Sequence, residues 1–113
     1  MTNPVKLLLI FMNDTDTLDG VPLYHAAVDR LRHLGIAGAT AQLGLLGYGH
    51  HRRLRQKGLF GVMDAAPVTV MAVDDEARLR AVLPEIRSLV REGLVLLLDA
   101  ELVADVAGPS AAS

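Results

Sequence analysis

Four short apolar runs, residues 5–12, 39–46, 67–73 and 94–98, alternate with two stretches in which apolar residues recur at helical spacing. Leu23, Ala27, Leu31 and Leu34 mark the first such stretch, opened by Pro22 and stopped by Gly35. Leu79, Val82, Leu83, Ile86, Leu89 and Val90 mark the second, which ends at Gly93. Asp74, Asp75 and Glu76 stand at its start, where the helix macrodipole favours carboxylates. The order this predicts is β-α-β-β-α-β, and few folds accommodate it.

That order is the α+β ferredoxin-like split βαβ. Right-handed crossovers place two helices on one face of a four-stranded antiparallel sheet. The 113 residues suffice for one core, so we read a single domain over residues 1–103 and a flexible tail over 104–113, where small residues prevail. Both faces of the strands are apolar. Leu8, Ile10 and Met12 oppose Val5, Leu7, Leu9 and Phe11, while Leu94, Leu96 and Leu98 oppose Val95 and Leu97. Two helices cover one face only, so the other is expected to be buried between copies of the chain. Alternation does not say which set faces the helices; a charge at Leu8, with Leu9 as the opposite-face control, is the test it suggests.

Eleven basic and thirteen acidic side chains give a net charge of −2, which argues against a nucleic-acid partner. There is no cysteine, hence neither disulfide nor thiolate metal site. No apolar run approaches the roughly 20 residues of a membrane span and no signal sequence is visible, so a soluble, cytoplasmic protein without membrane insertion is expected. Serines occur at 88, 110 and 113 without nucleophile-elbow glycines, and no paired acid and base is set by spacing; the chain does not read as an enzyme.

Chemistry concentrates after the second strand. Gly44, Gly47 and Gly49 are read as positions allowing positive φ and close approach of backbone to a ligand. They lead into His50, His51, Arg52, Arg53, Arg55 and Lys57 with no acidic residue among them. Guanidinium groups grip phosphate bidentately and N–H groups beside glycines form anion nests, so this loop reads as an anion clamp; the plainer alternative is a solvated run of charge. Adjacent histidines diverge on an extended chain, and no metal site is assigned. Asp14, Asp16 and Asp19 read as a turn whose carboxylates bond the backbone. About twenty residues separate the second and third strands, more than a compact domain leaves idle, and residues 50–66 are expected to be poorly ordered without a ligand.

Several segments carry a resemblance. Asn13 to Asp16 followed by Gly20-Val21-Pro22-Leu23-Tyr24, the Gly35-Ile36-Ala37-Gly38-Ala39-Thr40 turn, the Gly47-Tyr48-Gly49 step, Val73-Asp74-Asp75 and Glu92-Gly93-Leu94-Val95 resemble PII-like signalling proteins. The nearer likeness is to the uncharacterised PII-like family known as domain of unknown function 190, over roughly residues 5–103. The resemblance implies a ferredoxin-like homotrimer with three clefts between subunits. It would bind a small anionic metabolite or nucleotide and act on a partner protein through the long loop. Taken with the basic loop read above, the candidate ligand site comprises Thr40, Gly47, Tyr48, Gly49, His50, His51, Arg52 and Arg53. Two departures stand out. The basic glycine-rich loop of nucleotide-binding PII proteins is missing, since Arg91-Glu92-Gly93 leads straight into the last strand; and His50-His51 replace the usual arginine and metal-coordinating glutamine. The ligand is therefore left unnamed. The alternatives implied are a ligand-independent protein docking on a membrane transporter and a metal-responsive trimer similar to CutA.

Overall fold

The computed structural model describes residues 4–48, 55–56 and 65–106. Strand β1 (Val5–Asn13) is followed by a small hairpin, β2 (Thr17–Leu18) and β3 (Val21–Pro22), and by helix α1 (Leu23–His33). Then come β4 (Gly38–Leu43), a two-rung ribbon of β5 (Leu46–Gly47) with β6 (Arg55–Gln56), β7 (Pro67–Asp75), α2 (Glu76–Leu89) and β8 (Leu94–Ala100). The main sheet has the order β4-β7-β1-β8 with every neighbour antiparallel. This is the predicted split βαβ fold.

The two helices cover one face. Leu8, Ile10 and Met12 of β1 and Val68, Val70 and Ala72 of β7 lie beneath Leu23, Ala27 and Leu31 of α1 and Leu79, Val82 and Ile86 of α2 in one buried cluster. Leu8 is therefore a core residue and Leu9 belongs to the other face, which resolves the choice that alternation left open. Among the described residues no helix is long and apolar enough to cross a membrane.

Local chemistry fixes the helix ends. At the end of α1, Gly35 takes φ 85°, its N–H donates to the Arg32 carbonyl, and the Ile36 N–H reaches back to Leu31 while its side chain is buried. This pair of bonds is a Schellman stop, and it needs the left-handed residue that glycine supplies. At the start of α2, Asp75 is the N-cap and its Oδ1 accepts the Arg78 N–H at 2.9 Å. Between β2 and β3, Asp19 and Gly20 have φ of 51° and 83°, the positive pair that a two-residue hairpin turn demands.

Candidate functional site

The second sheet face carries three cross-strand rows that no helix covers. Gly38, Val73, Leu7 and Leu98 form the first; Thr40, Met71, Leu9 and Leu96 the second; Gln42, Thr69, Phe11 and Leu94 the third. Val73, Leu94, Leu96 and Leu98 are exposed, and Leu7, Leu9, Phe11 and Met71 are half-buried by their neighbours alone. Each row passes from small or polar groups on β4 to leucine or phenylalanine on β1 and β8. Thr40, the first of the predicted site residues, is thus an exposed hydroxyl at the β4 margin of an apolar surface.

The end of β7 and the first turn of α2 hold Thr40's strand in place. Asp74 Oδ2 accepts the Ala37 N–H at 2.9 Å, and the Arg78 guanidinium donates to the Gly35 carbonyl at 3.2 Å. Together they pin the turn that delivers β4 to the sheet. Sequence reading treats Asp74 as dipole chemistry only; its reach to Ala37, 37 positions away, has no signature along the chain.

Beyond Thr40 the predicted single strand over 39–46 breaks. The ladder to β7 ends at Leu43, where the Gly44 N–H donates to the Pro67 carbonyl at 2.6 Å. A side chain at 44 would press its Cβ to 2.8 Å from Pro67 Cγ. Gly44 is thus required by the close approach of Pro67, and neither it nor Gly47 has the positive φ expected of it. Proline, lacking an N–H, cannot extend the ladder, so the chain restarts as the β5–β6 ribbon with Gly47 opposite Arg55. Tyr48, which follows β5, is 70% exposed. The other predicted site residues, Gly49, His50, His51, Arg52 and Arg53, and most of the loop expected to be poorly ordered, lie outside the described residues.

The acidic segment after β1 is a turn, as read. Asp16 Oδ2 accepts the Asn13 N–H, and Asp14 Oδ1 accepts the N–H of Ala66, whose carbonyl accepts the Asp14 N–H at 2.8 Å. These bonds anchor the return of the long loop beside the end of β1. Elsewhere, Lys6 sits on the helix face between Asp99 and Glu76. Its hydrogen bond and charge hold the Asp99 carboxyl below its usual 3.8. On α1, the Arg32 hydrogen bond, joined by the charges of His33 and His25, lowers Asp29 likewise. Among the described residues no group of three or more His, Asp or Glu side chains converges to hold a metal.

A model of the family DUF190, described as Uncharacterized ACR, matches residues 5–102. The chain belongs to the DUF190 family. Two relatives bear this out. A UPF0166 protein of Aquifex aeolicus is 33% identical over 98 residues, spanning 87% of this chain and 92% of its own. UPF0166 protein MJ1524 of Methanocaldococcus jannaschii is 30% identical over 95 residues, spanning 83% and 87%. Among solved structures the chain is similar to CPII, a nitrogen regulatory PII-like protein from Thiomonas intermedia K12, bound to ADP, AMP and bicarbonate. The TM-score is 0.65 at 23% identity over 86% of both chains. The divalent ion tolerance protein CutA1 from Ehrlichia chaffeensis gives 0.64 at 9% identity over 93% and 89%. At these identities the two structures show that this DUF190 chain has the PII-like fold.

Proposed function

We propose that the chain is a PII-like regulatory protein of the cytoplasm. It assembles as a homotrimer, binds a small anionic metabolite or nucleotide in clefts between subunits, and acts on a partner protein through the loop after the second strand. The observation that carries this reading is the uncovered apolar face with Thr40 at its margin, since a groove forms there only when a second copy meets it. Thr40, Gly47 and Tyr48 would supply hydroxyl, backbone and ring, and Gly49, His50, His51, Arg52 and Arg53 the charge. CPII, which shares the fold, is bound to adenine nucleotides and bicarbonate, and this supports the ligand class. Nothing in the described residues pairs an acid with a base over that margin, so regulation by binding is favoured over catalysis.

The test is a thermal-shift and light-scattering screen with ADP, AMP, bicarbonate, cyclic dinucleotides and divalent metals. A ligand at a hundred times its Kd, binding the native state alone, adds about 2.7 kcal/mol to apparent stability. A shift with a nucleotide or bicarbonate is the expected result. A shift with zinc or copper only would replace this reading with a metal-responsive trimer, and no shift with any of them would favour an interaction protein.

A further inference from the structure

The helix layer stops short of one margin of the sheet. Helix α1 packs directly against β4, whereas α2 lies against β7 and β1, and a trough of about 410 Å³ remains between the second half of α2 and β8. Leu83, Val90, Val95 and Leu97 form its walls. Val90 is buried, but Leu83, Val95 and Leu97 are only half-buried against the core, so the trough keeps aliphatic surface in contact with water. Leu96, whose side chain belongs to the open face, also borders it, and the hollow therefore runs out to the outer edge of the strand.

One charge stands over this surface. Arg87 borders the trough, and among the described residues its guanidinium has neither an ion pair nor a hydrogen bond. Its neighbours along the helix are engaged elsewhere: Arg80 donates to Glu76 at 2.6 Å, Arg78 pairs with Asp75, and Glu85, the acid two positions before Arg87, faces Arg30 of α1 at 3.6 Å. The trough thus offers aliphatic walls and one unpaired cation. A hollow of this size, apolar in its walls and with a single charged group to orient an occupant, has the makeup of a small-molecule site.

We propose that this trough binds an amphipathic carboxylate, an aliphatic acid of medium chain length whose tail lies on Leu83, Val95 and Leu97 and whose carboxylate meets Arg87. Charge complementarity selects the anion, since a guanidinium grips a carboxylate through two parallel N–H bonds. The walls select the chain, because each methylene taken out of water tightens binding up to about fourfold. This site is separate from the Thr40 margin. Strands β8 and β4 lie at opposite ends of the four-stranded sheet, roughly 14 Å apart at ordinary strand spacing, and the trough is on the helix face whereas Thr40 is on the open one. An assembly built through the open face leaves the trough turned outward, so the inference goes beyond the proposed cleft and stands whether or not that cleft binds a nucleotide.

Octanoate is the probe, titrated into the full chain labelled at its leucine and valine methyls and followed by NMR. The methyl signals of Leu83, Val90, Val95 and Leu97 should shift saturably and show nuclear Overhauser contacts to the octyl chain. Arg87→Gln, a change at an exposed position, should leave the melting temperature unaltered and raise the dissociation constant roughly threefold to fivefold at low salt, the range of one exposed charge pair. Octylammonium, with the same chain and the opposite charge, should bind the parent more weakly than octanoate does, and Arg87→Gln should narrow that gap. The absence of saturable shifts at those methyls, equal binding of the two probes by the parent, or unaltered octanoate affinity in Arg87→Gln overturns the proposal. So does a peptide ending in valine that moves those methyls where octanoate does not, which would make the trough a groove for a chain end.

Discussion

The two faces of β1 make opposite predictions for one substitution. Leu8 is fully buried under both helices, so Leu8→Glu loses the transfer and packing energy of a core leucine, about 2–5 kcal/mol by analogy with truncation to alanine. It also buries a carboxylate without a partner, costing several kcal/mol more even after the group neutralises. The total rivals the roughly 5–15 kcal/mol that holds a domain together, so Leu8→Glu should not fold. Leu9 lies one residue away on the open face, between Met71 and Leu96, and is only half-buried within its own chain. In an isolated copy Leu9→Glu costs about 1–2 kcal/mol of lost contact, since its carboxylate reaches water. In an assembly that covers the face, each copy would bury one such carboxylate, and every 1.4 kcal/mol lost is about tenfold in the association constant. The assay is light scattering with circular dichroism at one fixed protein concentration. Leu9→Glu should retain native ellipticity and fall from three times 12.1 kDa to that mass. A Leu9→Glu protein of unaltered mass would show that the open face is not the interface, and the case for intersubunit clefts would collapse.

Three further expectations follow from geometry and charge. Gly93 has φ 132°, and a Cβ there would overlap the Phe11 carbonyl oxygen of a central strand; Gly35 has φ 85° in open space, and Gly38 has neither constraint. Urea titrations should therefore rank the alanine variants, with Gly93→Ala losing about 3 kcal/mol or more, Gly35→Ala about 1 kcal/mol, and Gly38→Ala little; equal losses would undo this account. Because Lys6 depresses the Asp99 carboxyl, the pair adds stability that is complete above the usual value of 3.8 and is lost as pH falls from there through the lower folded value. Lys6→Gln should return the Asp99 titration, followed by carbon NMR, toward 3.8; an unchanged midpoint would exclude Lys6 as the cause. Finally, Arg52→Ala with Arg53→Ala should weaken binding of whichever nucleotide or anion the screen finds, at least tenfold at low salt and less at high salt, with little change in melting temperature. Calorimetry showing unaltered affinity at low salt would remove those arginines from the site.

The element order, the helix limits at Pro22 and Gly35, and the apolar second face are all legible in the chain, because each follows from spacing or from one punctuating residue. The small elements are not. Thr17-Leu18 and Val21-Pro22 are too short for an alternation, although Asp19-Gly20 between them is a strong hairpin signal in its own right. The break at Gly44 escapes because its cause, Pro67, is 23 positions away and meets it only across the sheet. The same limit hides the Asp74 bond to Ala37. For the site, sequence supplies residue types at Thr40, Gly47 and Tyr48 and expects a positive φ at Gly44, where the structure shows instead a close approach to Pro67.

The placement of β1 has a consequence for how the molecule is made. It lies inside the sheet, and its partners are β7 and β8, with Asn13 opposite Pro67 and Val5 opposite Ala100. Strand β1 thus pairs only with strands that follow it by more than fifty residues. Contacts this distant in sequence slow folding, because loop closure precedes any return in contact energy. The same arithmetic is lenient toward the connection between β4 and β7, since doubling a flexible loop costs only about 0.6 kcal/mol. A longer or shorter connection between these strands would therefore change the stability of the fold little while changing the surface it presents beside the sheet.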